Sequence, residues 1–157
     1  KSIMSLINRR EAIKKAVTLS NAKTVVEIAG KKYTVAEAIE MRNSGITNHQ
    51  FLANIMRQQY AKAKTTIETE NGDKLSKKAD DYVTGLYGSK DGAKSEKVAE
   101  ARKDYIEANS YDMVDPIGVS TVIESIDSFV DKFIAEVDSS LSVSNAITEI
   151  EFSYEVM

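Results

Sequence analysis

His49 is the only imidazole in the chain, so any imidazole acid–base chemistry would have to run through it. General acid–base or nucleophilic work needs a second group within reach, and no Ser, Asp or Glu stands at a spacing that would pair with this histidine. There is no cysteine, which removes a thiol nucleophile, a disulfide framework and thiolate zinc sites, and fits a reducing compartment. The acidic residues fall at helix-cap or solvated helix positions, and neither an EF-hand loop nor an HExxH pair occurs. Gly85, Gly88 and Gly92 lack the strand-to-helix setting of a phosphate-cradling loop. The sequence therefore predicts no catalytic residue, no metal site and no cofactor, and a protein that is not an enzyme.

What chemistry remains is anion binding. Arg9, Arg10 and Lys14 crowd the first segment; Lys31, Lys32 and Tyr33 follow a turn; Arg42 and Asn43 end a short helix; Arg57 and Tyr60 share a long one; Arg102, Tyr105 and Tyr111 lie farther on. Guanidinium groups form forked contacts to phosphate, and a tyrosine ring offers a stacking face to a base. The bland reading of each is a solvated basic face, or a ring buried with its hydroxyl wet. Taken together they define a candidate ligand set: Arg9, Arg10, Asn21, Tyr33, Arg42, Arg57, Tyr60, Tyr111 and Asn145.

The whole chain limits these readings. A formal charge of −3 over 157 residues argues against a protein built to grip long nucleic acid, where a basic field supplies most of the affinity. Hydrophobic residues at 42% and charged residues at 29% suit one globular domain spanning 1–157. No apolar run approaches the ~20 residues that span a bilayer, and the N-terminal stretch does not read as a signal peptide. A soluble protein of the cytoplasm is the expectation.

Positioning falls to helices. Ile3, Leu6, Ile7, Ile13 and Val17, with Ala16, recur at helical spacing and predict a first helix ending near Leu19–Ala22. Thr24–Ile28 is β-branched and reads as a strand; Ala29-Gly30-Lys31 supplies a turn into a second strand, Lys32–Thr34. Thr34 and Glu37 form a capping box opening a short helix that stops at Asn43-Ser44-Gly45. A second box, Thr47 with Gln50, opens a long helix striped by Leu52, Ile55, Met56, Tyr60, Ala63 and Ile67 and closed by Asn71-Gly72. Helices follow over about 73–86 and 94–109, separated by a flexible tip at Gly88–Gly92. Asp115-Pro116 predicts the start of a last helix carrying Val119, Val122, Ile123, Ile126, Val130, Phe133, Val137 and Leu141 on one face. Ile147–Phe152 reads as a closing strand.

The two ends repeat. Ser20-Asn21-Ala22-Lys23-Thr24-Val25-Val26-Glu27-Ile28 aligns without a gap to Ser144-Asn145-Ala146-Ile147-Thr148-Glu149-Ile150-Glu151-Phe152. Leu6, Ile13 and Val17 align in turn with Val130, Val137 and Leu141. Each end thus reads as helix, Ser-Asn-Ala joint, strand. This predicts an α+β fold: a mostly helical bundle with long terminal helices and a three-stranded sheet of Thr24–Ala29, Lys32–Thr34 and Ile147–Phe152. The paired asparagines are either a pseudo-symmetric ligand clamp or helix-closing residues that bond to nearby backbone.

The stretch from Ser20 to Ile39, with Val114-Asp115-Pro116 and Ala135 to Ala146, resembles an uncharacterised family of small phage and prophage proteins of Gram-positive hosts. That resemblance implies a viral setting and carries over no functional residue. Two function classes compete within it, beside a third, a toxin or regulator that binds a host protein. One is a sponge: a non-catalytic oligomer in the host cytoplasm that sequesters a nucleotide-derived immune signal. The other is a small virion or assembly protein. The basic and tyrosine-bearing segments beside helix ends favour the sponge, because helix N-termini present N–H groups to phosphate. A homo-oligomer is expected, since amphipathic terminal helices and short strands leave faces and edges uncovered.

Overall fold

A computed structural model describes residues 2–88 and 95–156. Its elements run α1 (Ile3–Lys23), β1 (Val25–Ile28), β2 (Lys31–Thr34), α2 (Val35–Glu40), α3 (Ile46–Thr69), α4 (Leu75–Tyr87), α5 (Ser95–Asn109) and α6 (Val119–Ile147), with π-helical turns at Met41–Gly45 and Glu70–Lys74. The fold is α+β and dominated by helix. Two compact units are present: Lys1–Asn54 with Thr121–Met157, and Ile55–Ser120.

In the first unit, β1 and β2 form an antiparallel hairpin pairing Val25 with Thr34 and Ile28 with Lys31. The two-residue turn uses Ala29 (φ 52°) and Gly30 (φ 73°), the left-handed pair that matches the twist of a tight hairpin. Glu136 of α6 accepts the Ala29 N–H at 2.6 Å, tying this turn to the helix. Val26 and Ile28 alternate inward and join Val35, Ala38, Ile46, Val130, Phe133, Val137 and Leu141 in one buried cluster. Thr34 and Glu37 form the expected capping box: the hydroxyl accepts the Glu37 N–H (3.1 Å) and the carboxylate accepts the Thr34 N–H (2.7 Å).

Tyr33 meets Phe133 edge-on, with ring centroids 5.7 Å apart. Burial, helped by the Glu37 carboxylate, raises its phenol above the ordinary value of 10.0. The neutral phenol is thus favoured in the fold, so its contribution to stability is complete below pH 10.0 and falls as pH rises from there through the folded value. Spectroscopic titration should show one phenol ionising later than the rest. Tyr33→Phe should abolish that late step; a Tyr33→Phe variant that retains it contradicts the assignment.

The first helix buries only part of the face expected of it. Ile13 and Ala16 of the expected face are half-buried, but Ile3, Leu6, Ile7 and Val17 are exposed, while Ser5 is buried and Asn8, Ala12 and Ser20 are half-buried. Helix α1 lies against α2 and β2, and Asn8 and Ala12 face residues Ser153, Tyr154 and Glu155 across a shared cavity; a short side chain is what such close approach admits.

In the second unit, α4 and α5 pack against each other. Leu75, Ala79, Val83 and Val98 are buried. Tyr82 stacks on Tyr105 with centroids 4.7 Å apart, and Arg102 reaches from α5 to Asp80 (2.8 Å) and Ser76 (2.6 Å) on α4. Gly88 closes α4 in the left-handed conformation, its N–H on the Thr84 carbonyl. The rest of the tip expected at Gly88–Gly92 lies outside the described residues. Asn71 acts through its amide, donating to the Tyr111 carbonyl and accepting the Tyr111 N–H, both at 2.8 Å.

Several sequence expectations are corrected. Thr47 and Gln50 form no helix-opening box, because α2 runs through the π turn into α3 without stopping. Gly45 permits this by its missing Cβ, whose place is taken by the Met41 sulfur. The chain does leave helical geometry at Gly72 (φ −82°, ψ −128°), then re-enters helix at once. Asp115 caps the last helix three residues later than expected: its carboxylate accepts the Val119 N–H at 2.9 and 3.0 Å, after a turn at Pro116–Ile117. Both Ser-Asn-Ala segments are helical rather than joints. The repeat survives in how the helices close. Helices α1 and α6 end at the equivalent residues Lys23 and Ile147, where Thr24 N–H meets the Ser20 carbonyl (2.8 Å) and Thr148 N–H the Ser144 carbonyl (3.0 Å). Among the described residues the sheet has two strands, not three. Helix α6 takes up Ile147, and residues 148–156 carry no regular structure.

Candidate functional site

Five surface cavities are lined by described residues, each wholly within one unit. One combines a cation, an imidazole, hydroxyls and an aromatic face. It has a volume of about 320 Å³ and is lined by Lys31, His49, Thr121, Val122, Ser125, Ile126 and Phe129. The hairpin turn delivers Lys31, whose ammonium stands over the Phe129 ring at 4.5 Å from its centroid, a cation–π contact. His49 comes from the first turns of α3, its ring 5.3 Å from that of Phe129. Its Nδ1 is 2.8 Å from the Gly45 carbonyl and must carry a proton to bond there. That fixes the ring and leaves Nε2 to meet a ligand, as acceptor when the ring is neutral and as donor when it is protonated. Thr121 and Ser125, one helical turn apart on α6, place hydroxyls at the rim. A cation and hydroxyl donors around a ring can hold an anion together with a flat group.

A second cavity, about 340 Å³, is nearly all apolar: Ile55, Met56, Tyr60, Ala63, Met113, Val114 and Ile117 contribute to it, with Gln59 and Asp115. It belongs to the second unit.

The sequence-selected residues are dispersed. Arg9 stacks over Tyr154 (5.9 Å). Arg10 is exposed on α1, and Asn21 is half-buried in the last turn of that helix. Arg42 is paired with Asp138 at 3.0 Å. Tyr33 lies against the core, and Asn145 is exposed on α6. Arg57, Tyr60 and Tyr111 belong to the second unit; Tyr60 lines the apolar cavity with Lys64 over its ring (5.9 Å), and the main chain of Tyr111 is held by Asn71. None of the five cavities is lined by two members of this set.

Sequence reasoning placed Lys31 on a hairpin and His49 on a helix but did not join them to Phe129. The available signal was the tight turn at Ala29-Gly30, which sets Lys31 on the same face of the sheet as its partner Ile28. No helix among the described residues is long and apolar enough to cross a membrane. The chain matches no family model, no curated protein and no solved structure.

Proposed function

We propose that this protein is a non-catalytic, self-associating binding protein: a sponge that sequesters a small nucleotide-derived anion, in keeping with the phage setting its sequence resembles. The observation that carries the reading is the Lys31–His49–Phe129 cleft, where a cation, a hydrogen-bonding ring and an aromatic face converge beside two hydroxyls. Phosphate suits the ammonium and hydroxyl groups, and a base would take the Phe129 face as Lys31 swings off it to meet the phosphate. Arg42 serves this role less well, because Asp138 already shares its guanidinium.

The test is calorimetric titration with a panel of cyclic and ADP-ribose-type nucleotides. A ligand should bind and be recovered intact after heat denaturation of the protein. Lys31→Ala should weaken it by about 1.5–3 kcal/mol, as for a lost charged hydrogen bond. Phe129→Ala should remove about 1–3 kcal/mol of stacking. Binding that ignores both changes but is lost with Arg9, Arg10, Arg42 or Arg57→Ala would return the site to the arginine set, and a released cleavage product would make the protein an enzyme.

A second reading, a virion or assembly protein, draws on the exposed apolar side chains of two helices: Ile3, Leu6, Ile7 and Val17 on α1, and Ile134, Val143 and Ile147 on α6. Such surfaces are partner surfaces when contiguous. Oligomer formation with no ligand from the whole panel would favour it.

A further inference from the structure

The outer edge of β1 forms one wall of a groove of about 400 Å³, and the last turns of α6 form the other. The hairpin register decides what that edge offers. Val35 N–H bonds to the Thr24 carbonyl at 2.8 Å, so Thr24, Val26 and Ile28 direct their main-chain groups to β2, while Val25 and Glu27 direct theirs outward. The Glu27 carbonyl takes the Ser140 hydroxyl at 3.3 Å. The Val25 main chain and the Glu27 N–H face the groove. Beside them Val25, Val143 and Ile147 expose apolar side chains, Ile147 to 76%. A strand edge running beside a helix is the geometry that accepts an added strand, with main-chain bonds giving affinity and alternate side chains filling the groove.

The same chain carries a segment suited to that place. Residues 149–156 alternate, with Ile150, Phe152 and Tyr154 on one side and Glu149, Glu151, Ser153 and Glu155 on the other, the period-2 pattern of a strand. Yet among the described residues this segment makes no main-chain to main-chain hydrogen bond; its carbonyl at Glu155 takes only the Asn8 amide, at 3.4 Å. Its own copy sends it elsewhere: Tyr154 lies under Arg9, and the tail runs along α1. To enter its own groove the chain would have to reverse directly after the bond from Thr148 N–H to the Ser144 carbonyl that closes α6. A tail from another molecule has no such constraint.

We infer that residues 149–156 of one copy add to the β1 edge of a second copy, completing in trans a three-stranded sheet and linking molecules by exchanged strands. The inference rests on the self-association proposed above and is independent of the nucleotide. The absence of cysteine gives a clean background for testing it. Full-length Val25→Cys protein is mixed with full-length protein carrying Ile150→Cys or, separately, Glu151→Cys, so that both faces of the tail are sampled. After mild oxidation, a disulfide-linked heterodimer should form several-fold more than with the exposed control position, Asn48→Cys on α3. Mass measurement by light scattering supplies the second readout. Ile150→Pro removes a main-chain donor from a segment that has no regular structure to lose, so circular dichroism should be unchanged while the oligomer dissociates. Cross-linking at the control level from both tail positions overturns the inference. So does an Ile150→Pro protein that keeps the parent oligomeric mass, which would leave self-association standing by another surface. A monomeric parent overturns the exchange and the self-association together.

Discussion

Phe133→Ala will lower the stability of the folded chain by about 3–5 kcal/mol, the usual cost of deleting a buried aromatic ring. Phe133 is 0% exposed and is among the largest fully buried side chains. Its ring meets Tyr33 edge-on and Phe129 at 6.0 Å, within a cluster that joins the hairpin, α2 and α6. Removing it leaves a void that Val130 and Val137, fixed on the same helix, cannot fill. Urea unfolding followed by circular dichroism will show the midpoint fall with the slope conserved. Phe133→Leu keeps most of the apolar volume and should cost less. An alanine variant with the parent midpoint would mean that this cluster does not hold the unit together. Phe129 forms part of the candidate cleft and packs on Phe133, so Phe133→Ala should weaken nucleotide binding as well, without touching the ligand.

Val83→Asp carries the second large effect, about 3–5 kcal/mol, the penalty for a buried charge with no compensating partner. Val83 is 0% exposed on α4, one turn from the buried Ala79, on the face where α4 meets α5. Arg102, which reaches across from α5, has its guanidinium engaged by Asp80 and Ser76. Val83→Thr has nearly the same shape and can return its hydroxyl to the carbonyl one turn back, so it should lose only a fraction of that amount. Equal losses for Thr and Asp would show that burial of any polar group, not the charge itself, governs this position.

Local chemistry was legible residue by residue. The Thr34–Glu37 box formed as expected because both partners lie within three residues and need no tertiary help. The stripe Ile123, Val130, Phe133, Val137 and Leu141 is buried as its spacing predicts, and so are Leu75, Ala79 and Val83 on α4, although Tyr82 and Leu86 of that same face are exposed. The same periodicity misled on α1, where Ile3, Leu6, Ile7 and Val17 look like a core face and stand in solvent. Periodicity reports that a helix has two faces. It cannot report which face a neighbour will cover, and here Ser5 and Ala12 are turned inward together with Ile13 and Ala16, while the rest of the apolar stripe is left out.

The candidate cleft was illegible for a related reason. Lys31, His49 and Phe129 are far apart in sequence and come together only when the hairpin packs on α6 beside α3. The arginines, conspicuous in the sequence by charge, fell on separate surfaces or, like Arg42, against an aspartate. Charge type is a property of the residue, whereas convergence is a property of packing.

By itself the sequence determined the helix-rich α+β character, the Ala29-Gly30 hairpin turn and the cap at Thr34, since the turn and the cap rest on dihedral preference or a hydrogen bond spanning a few residues. The tertiary structure decided that α2 continues into α3, that α1 turns its small residues inward, that Lys31, His49 and Phe129 share a cleft, and that the segment after Ile147 finds no strand partner in its own chain. Those outcomes depend on contacts between residues distant in sequence, whose energies outweigh local preference and leave no mark in the spacing of any one segment.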